Sequence, residues 1–305
     1  MKSISGTYHV KTPDTSYICG ARGIFRKDGI SPLTGDYVEI DVLSEAEKEG
    51  NIIEILPRKN FLVRPSVANV DQIAFVFSVK SPSPDLFLLD KLSVAACRWG
   101  IKQILCLNKT DLADERHYSE INAAYTAADF EVIPISCVSM EGIDRLSGLL
   151  AGKITVFAGQ SGVGKSTILN SLPGDGLMQV GELSLKIQRG KHTTRHTEMI
   201  PIPGGGYIID TPGFSIFDPQ SIRFDNVKLY FPEFAPSKNK CRFNECVHIN
   251  EPDCDVKRRL EAGDIDTGRY ERYIKMYELL KKSAYEELTN VRRTSERSKE
   301  VEKDD

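Results

Sequence analysis

The 305-residue chain has a single tryptophan, five histidines and no apolar run long enough to span a bilayer. Met1, Lys2, Ser3, Ile4, Ser5 and Gly6 offer no apolar core of the kind a secretory signal needs. Positive charge is not in excess either: 40 Lys and Arg face 43 Asp and Glu, a net charge of -3. No global basic field therefore advertises nucleic acid, and any such surface must be a local patch. The seven cysteines do not form a disulfide framework: Cys19, Cys97, Cys106 and Cys137 stand alone, whereas Cys241, Cys246 and Cys254 cluster as metal ligands do. These absences lead us to expect a cytoplasmic monomer that does not touch a membrane. The length allows two or three domains with cores of their own.

What is present is organised around Gly159-Gln160-Ser161-Gly162-Val163-Gly164-Lys165-Ser166-Thr167. It reads G-x-x-x-x-G-K-S, follows the apolar run Ile154–Ala158 and precedes a helical pattern through Ile168, Leu169 and Leu172. Strand, glycine-rich loop and helix N-terminus are the context a phosphate-binding loop requires. Glycines let successive N–H groups turn toward phosphate oxygens, and the helix dipole adds positive potential. Lys165 would reach the β- and γ-phosphates and the Ser166 hydroxyl would ligate Mg²⁺.

Residues 1–64 alternate apolar and polar side chains at period two, as in Tyr37–Val42, where Val38, Ile40 and Val42 oppose Glu39 and Asp41. Several short strands with turns between them suggest an oligonucleotide-binding (OB) type β-barrel, or a β-domain used for protein contacts. From residue 65 to 219 buried strands alternate with amphipathic helices, an α/β pattern that implies a doubly wound parallel sheet. Residues 220–290 are loop-rich and then mainly helical, with Tyr270, Tyr273, Tyr277 and Leu280 forming a packing stripe. Residues 291–305 are almost wholly polar, and their composition predicts disorder.

Asn108-Lys109-Thr110-Asp111 ends a predicted strand. A carboxylate there can accept hydrogen bonds from guanine N1–H and the 2-amino group, a donor pair that adenine lacks. The stem of Lys109 would lie on the base, and Asn108 would tie loops together. Ser136 and Cys137, after the next strand, resemble the loop whose backbone N–H reads guanine O6. Asp210 closes the strand Gly206–Ile209; it would hold a water ligand of Mg²⁺, and the Gly213 N–H would touch the γ-phosphate. Thr194, or its neighbour Thr193, would supply a second Mg²⁺ ligand. These segments resemble the signatures of translation-factor-related GTPases, but the base-reading ones precede the phosphate-binding ones. The expectation is a circularly permuted P-loop GTPase domain, its motifs still on loops at one edge of the sheet.

Cys241-x4-Cys246-x-His248-x5-Cys254 supplies three thiolates and one imidazole, a closed structural zinc shell with no open position for catalysis. Barrel, permuted GTPase and zinc segment together, with the linking phrase Arg64–Asp71, resemble the bacterial ribosome small-subunit-dependent GTPase A family. The resemblance covers all but the polar tail. It implies GTP hydrolysis to GDP, stimulated by the small ribosomal subunit and its rRNA during late maturation of that subunit.

Phe214 stands where many related GTPases carry a water-orienting Gln, so intrinsic hydrolysis should be slow. His192 is the candidate to hold the water, with His196 or the ribosome as substitutes. A GTP-sensing RNA-binding module with negligible turnover remains the alternative. A metabolic GTP-dependent enzyme is disfavoured, because no second acid/base constellation or open metal site is present.

Overall fold

Period-two alternation pairs the N-terminal strands into one sheet. The structure, a computed structural model, describes residues 3–4, 7–23, 25, 29–62, 66–112, 115–172, 199–202, 204–210 and 222–301. Strands β1 (Ser3–Ile4), β2 (Thr7–Lys11), β3 (Ser16–Ala21), β4 (Val38–Ser44) and β5 (Glu49–Ile55) run in the order β1-β2-β3-β5-β4. Only β3 and β5 pair in parallel. This is a five-stranded arrangement of the kind that curls into a partly open Greek-key barrel. Val10, Tyr17, Cys19 and Ile52 form its core, with Val38 and Ile40 packed against them. Val42 is exposed although it continues the register of Ile40 along β5, the shift in β4 coming only after it.

The short pair β6 (Phe61–Leu62) and β7 (Val67–Ala68) leads into a hydrogen-bonded junction. Asn60 donates to the Val70 carbonyl at 2.8 Å and accepts the Val70 N–H at 2.9 Å. Asn69 donates to the Gly35 carbonyl at 3.0 Å and accepts the Lys59 N–H at 2.9 Å. Asp71 accepts the Ile154 N–H at 2.8 Å.

The second sheet contains β8 (Gln72–Ser78), β9 (Lys102–Asn108), β10 (Glu131–Ile135), β11 (Ile154–Ala158), β12 (Met199–Pro201) and β13 (Tyr207–Asp210), in the order β10-β9-β8-β11-β13-β12. All neighbours are parallel except β12 with β13. Every residue of β8 is buried, as expected of a central parallel strand with both faces covered. The intervening helices are α1 (Leu86–Arg98), α2 (Glu115–Ala127), α3 (Ile143–Leu150) and α4 (Lys165–Ser171). From α3, Ile143, Leu146 and Leu150 join Ile168 and Leu169 of α4 in the same core as Val76 and Phe157. The register sets Asn108 beside Ser78 and Ile135, and Asp210 beside Phe157, so the strand ends share one edge.

The compact units do not follow chain order. Barrel and sheet form one, whereas α1, residues 119–130 and the chain from 217 onward form the other. In the second unit, 3₁₀ segments Phe224–Tyr230 and Pro232–Ser237 and helices α5 (Asp255–Glu261) and α6 (Thr267–Val301) enclose Val227, Phe231, Phe234, Val256, Tyr273 and Met276. The backbone of α6 is helical to Val301, where composition predicted disorder; Glu, Lys and Arg are good helix formers. Among the described residues no helix is long and apolar enough to cross a membrane.

A charge lies at the centre of this unit. Arg269 is 1 % exposed and grips Glu233 with two hydrogen bonds, 2.8 and 3.1 Å, and Asp90 with one of 2.6 Å. Arg272 and the Tyr125 hydroxyl complete the Asp90 carboxylate at 2.5 and 2.7 Å. Burial opposes the Arg269 charge, but Asp90 and Glu233 more than offset it and raise its pKa. Arg269→Ala leaves two carboxylates buried without their main partner and should cost about 3–5 kcal/mol. The expected readout is a lower denaturant midpoint for the far-UV signal of the helical unit.

Candidate functional site

Three thiols and an imidazole meet in the loop-rich segment before α5. The ligand atoms of Cys241, Cys246, His248 and Cys254 all lie within 4.8 Å of one another. Cys241 Sγ is 3.6 Å from His248 Nδ1, Cys254 Sγ is 3.4 Å from the same nitrogen, and the two sulfurs are 4.0 Å apart. A tetrahedral zinc ion with Zn–S of about 2.3 Å and Zn–N of about 2.0 Å requires edges of roughly 3.8 and 3.6 Å. The donor set therefore fits a tetrahedral cation. Burial pushes the Cys246 thiol up to about 12 and the His248 imidazole down to about 4. The imidazole is thus neutral and able to donate its lone pair, while burial keeps the Cys246 and Cys254 thiols protonated until a cation displaces their protons.

The backbone around the cluster is held from outside. His248 has φ 63, an uncommon conformation for a side-chain-bearing residue. Glu251 accepts the N–H groups of Val247 and Ile249 at 2.7 and 3.0 Å, and the Tyr270 hydroxyl donates to the His248 carbonyl at 2.6 Å. Tyr273 donates to the Val247 carbonyl and Lys228 to that of Cys246. Two tyrosines of the stripe that reads as packing therefore also fix the metal loop. Only their hydroxyls, and the acid at 251, could have signalled it.

The other candidate site lies along the sheet edge. Gly159 leaves β11 with φ 151, and a Cβ there would stand 2.0 Å from the Val76 carbonyl oxygen. Gly164 has φ 96, and its Cβ would meet Asn108 Nδ2 at 2.4 Å. The loop can thus lie against β8 and β9 only as bare backbone. Asn108 donates from that nitrogen to the Val163 carbonyl at 2.8 Å, and its own Oδ1 is buried with no hydrogen-bond partner among the described residues. Lys109 donates to the Gly162 carbonyl at 3.0 Å and to that of Ser81. The Lys165 ammonium lies across the loop on the carbonyls of Gly159 and Gln160, at 2.8 and 2.7 Å.

The base-reading candidates gather beside it. Asp111 accepts the Ser136 hydroxyl at 2.7 Å, and that hydroxyl oxygen also accepts the N–H groups of Val138 and Ser139 at 3.3 Å each. Thr110 donates to the Ile135 carbonyl or to Glu141. Cys137 is half-buried, its thiol pKa raised chiefly by that burial. Ser161 and Thr167 are exposed, and Ser166 opens α4 one residue after Lys165. Asp210 ends β13 in register with Phe157. His192, Thr193, Thr194, His196, Gly213 and Phe214 lie outside the described residues.

One contributor was not legible as part of this edge: the turn between β8 and α1. Ser81 accepts from Lys109, Asp85 N–H donates to the Gln160 side chain at 3.1 Å, and the Cβ position of Gly162 is 4.0 Å from Pro82. Ser-Pro-Ser-Pro-Asp marks a turn in the sequence, but nothing in it points to the glycine-rich loop. Gly159→Ala should force the loop away from β8 and lower nucleotide affinity by roughly five- to 150-fold, since a strained backbone costs on the order of 1–3 kcal/mol. Equilibrium titration with a fluorescent GDP reads it directly.

Comparison with known proteins agrees with this layout. The model of the RsgA GTPase family matches residues 55–220, and that of the RsgA N-terminal domain matches residues 1–52. A protein of Ruminiclostridium cellulolyticum named small ribosomal subunit biogenesis GTPase RsgA is 50 % identical over 283 residues, 92 % of each chain. One of the same name from Alkaliphilus metalliredigens is 46 % identical, over 93 % of this chain and 97 % of its own. The crystal structure of YjeQ from Thermotoga maritima superposes with a TM-score of 0.78 at 34 % identity, over 90 % of this chain and 95 % of that one. That of YloQ, described as a circularly permuted GTPase, gives 0.74 at 34 % identity, over 92 % and 93 %. The fold is an OB-type barrel, a circularly permuted GTPase sheet and a helical segment with a Cys₃His cluster, and the chain belongs to the RsgA GTPase family.

Proposed function

We propose that this chain hydrolyses GTP to GDP and phosphate as a factor in late maturation of the small ribosomal subunit. The observation that carries the reading is the meeting, at one sheet edge, of the glycine-rich loop with Asn108, Lys109 and Asp111, in a chain whose curated relatives bear that name. Backbone N–H groups from Gly159 to Thr167 cradle the phosphates, and Lys165 leaves its carbonyl partners to neutralise the β- and γ-oxygens. Asp111 turns from Ser136 to the guanine N1–H and amino group, with Ser136 and Cys137 presenting backbone to O6. Ser166, Thr194 and, through water, Asp210 would hold Mg²⁺, which would supply charge neutralisation for the phosphates. The Gly213 N–H meets the γ-phosphate and His192 orients the attacking water.

The Cys₃His cluster holds one structural Zn²⁺ that staples the loops between the 3₁₀ segments and α5. The barrel binds rRNA, and the protein acts as a cytoplasmic monomer away from membranes. Turnover should rise on addition of purified small subunits and stay slow without them. Stoichiometric GTP binding with no turnover under either condition would favour the GTP-sensing, RNA-binding alternative.

Asp111→Asn should shift preference from GTP toward xanthosine triphosphate, which carries a carbonyl where guanine has its amino group. The loss for GTP is about 1–3 kcal/mol, the cost of an unpaired buried polar group, and competition binding measures it. Cys246→Ser should release zinc, seen by elemental analysis, and expose residues 235–260 to proteolysis while GDP binding persists.

A further inference from the structure

At the nucleotide edge Ser78 of β8 stands in register with Asn108 of β9, and the Val79 N–H donates to the Asn108 carbonyl at 3.0 Å. Beyond that bond the two chains part. Lys109 turns out of β9 with φ 64, and residues 79–82 belong to no strand. The Ser78 hydroxyl supplies what the ladder no longer does. It donates to the Ser81 carbonyl at 2.9 Å and accepts the N–H groups of Ser81 and Lys80 at 3.0 and 3.3 Å. The residue is fully buried, so the turn depends on these bonds rather than on solvent.

The carbonyl fixed in this way is one of two that hold Lys109. Its ammonium donates to Ser81 and, at 3.0 Å, to Gly162 of the glycine-rich loop. A lysine carries its charge on a flexible four-carbon stem. Such a stem is a poor floor for a base, because ordering it costs rotamer entropy at the moment of binding. Clamped at its tip by carbonyls of two separate segments, the stem is ordered beforehand. Gly162 belongs to the loop that meets phosphate, whereas Ser81 carries no nucleotide motif, and its carbonyl is set by the turn alone. Ser78, Ser81, Lys109 and Gly162 all lie in the same compact unit.

We infer that Ser78 is a positioning residue for guanine-nucleotide binding. It sets the Ser81 carbonyl, which holds the Lys109 ammonium and orders the stem on which the base rests. The inference deepens the proposed GTP site and rests on that reading.

The experiment titrates the full-length protein with fluorescent GDP and compares Ser78→Ala, Lys109→Met and the double variant. Lys109→Met keeps an unbranched stem but has no ammonium. Ser78→Ala should weaken GDP binding about fivefold, the equivalent of one net hydrogen bond. Lys109→Met should weaken it at least as much. In the Lys109→Met background the change at Ser78 should then alter Kd less than about twofold, because the group through which it acts is gone. A serine that merely stabilised the fold would lower affinity by the same factor in both backgrounds. Ser78→Cys takes the place of the alanine variant, under the same criteria, if that variant fails to fold. Unchanged GDP affinity in the Ser78 variant, or losses that multiply in the double variant, would overturn the inference. Wild-type protein that binds GDP no more tightly than ADP would remove the guanine site itself, and with it the reading on which the inference rests.

Discussion

The glycine-rich loop lies so close to its neighbours that backbone alone fits, and the arrangement of the nucleotide edge depends on that approach. With Cβ distances of 2.0 Å from Val76 and 2.4 Å from Asn108, Gly159 and Gly164 define how near β11 and the start of α4 come to β8 and β9. At that distance Asn108 reaches the Val163 carbonyl and Lys109 that of Gly162. Two segments 55 residues apart then behave as one rigid cradle. A wider loop would leave the Asn108 amide nitrogen buried and unpaired, a cost of about 1–3 kcal/mol. Close approach and polar satisfaction therefore enforce each other.

The second unit has a different problem. Among its described residues there is no strand after β13, so no sheet ladder satisfies the backbone between residues 222 and 254. Short 3₁₀ segments, carboxylate caps and tyrosine hydroxyls take that role, and the four ligand atoms of the cluster meet at a spacing that could hold a metal ion. The buried pairs of Arg269 add little net stability, since desolvation cancels much of their attraction. Their value is in geometry: a guanidinium that must meet both Asp90 and Glu233 admits one placement of α6 against α1 and the 3₁₀ segment Pro232–Ser237. Apolar packing of Phe231, Phe234 and Tyr273 alone would tolerate sliding.

Sequence shows most readily what is local. The glycine-rich loop, the Asn108–Asp111 tetrapeptide and the cysteine cluster are short, and their chemistry is fixed by residue type and spacing. The strands of the second sheet were legible because burial on both faces demands unbroken apolar runs such as Ile73–Phe77. Asp90 and Arg269 were not, being 179 residues apart, and a charge on a helix normally reads as solvated. The turn at Ser78–Asp85 gave away its shape but not its neighbour. Val42 misled because alternation gives the face of a strand residue but not what covers that face, and the tail misled because polar composition speaks against a core but not against a helix. The expectations for residues 173–198 and 211–221 stay with the sequence, since they lie outside the described residues.

Permutation explains where the barrel is attached. Because β8, the first strand of the sheet, pairs with β11, the chain coming from the barrel arrives beside the beginning of the strand that carries the glycine-rich loop. Asp71 clamps that point twice: its carboxylate accepts the Ile154 N–H, and its own N–H donates to the Ile154 carbonyl at 2.9 Å. Asn60 and Asn69 extend the clamp into the barrel. The anchorage is thus separated from the phosphate loop by the length of β11, roughly 16 Å for five residues of strand. A strand paired on both sides is stiff along its length, so the loop is held in place from below while its upper face remains bounded by the turn before α1. In an unpermuted order the chain would begin at β11 itself, and a preceding domain would have only a flexible connection to it. Starting at β8 places a fully buried, doubly paired strand between the barrel and every motif that meets nucleotide, which lets the barrel fix the sheet without entering the site.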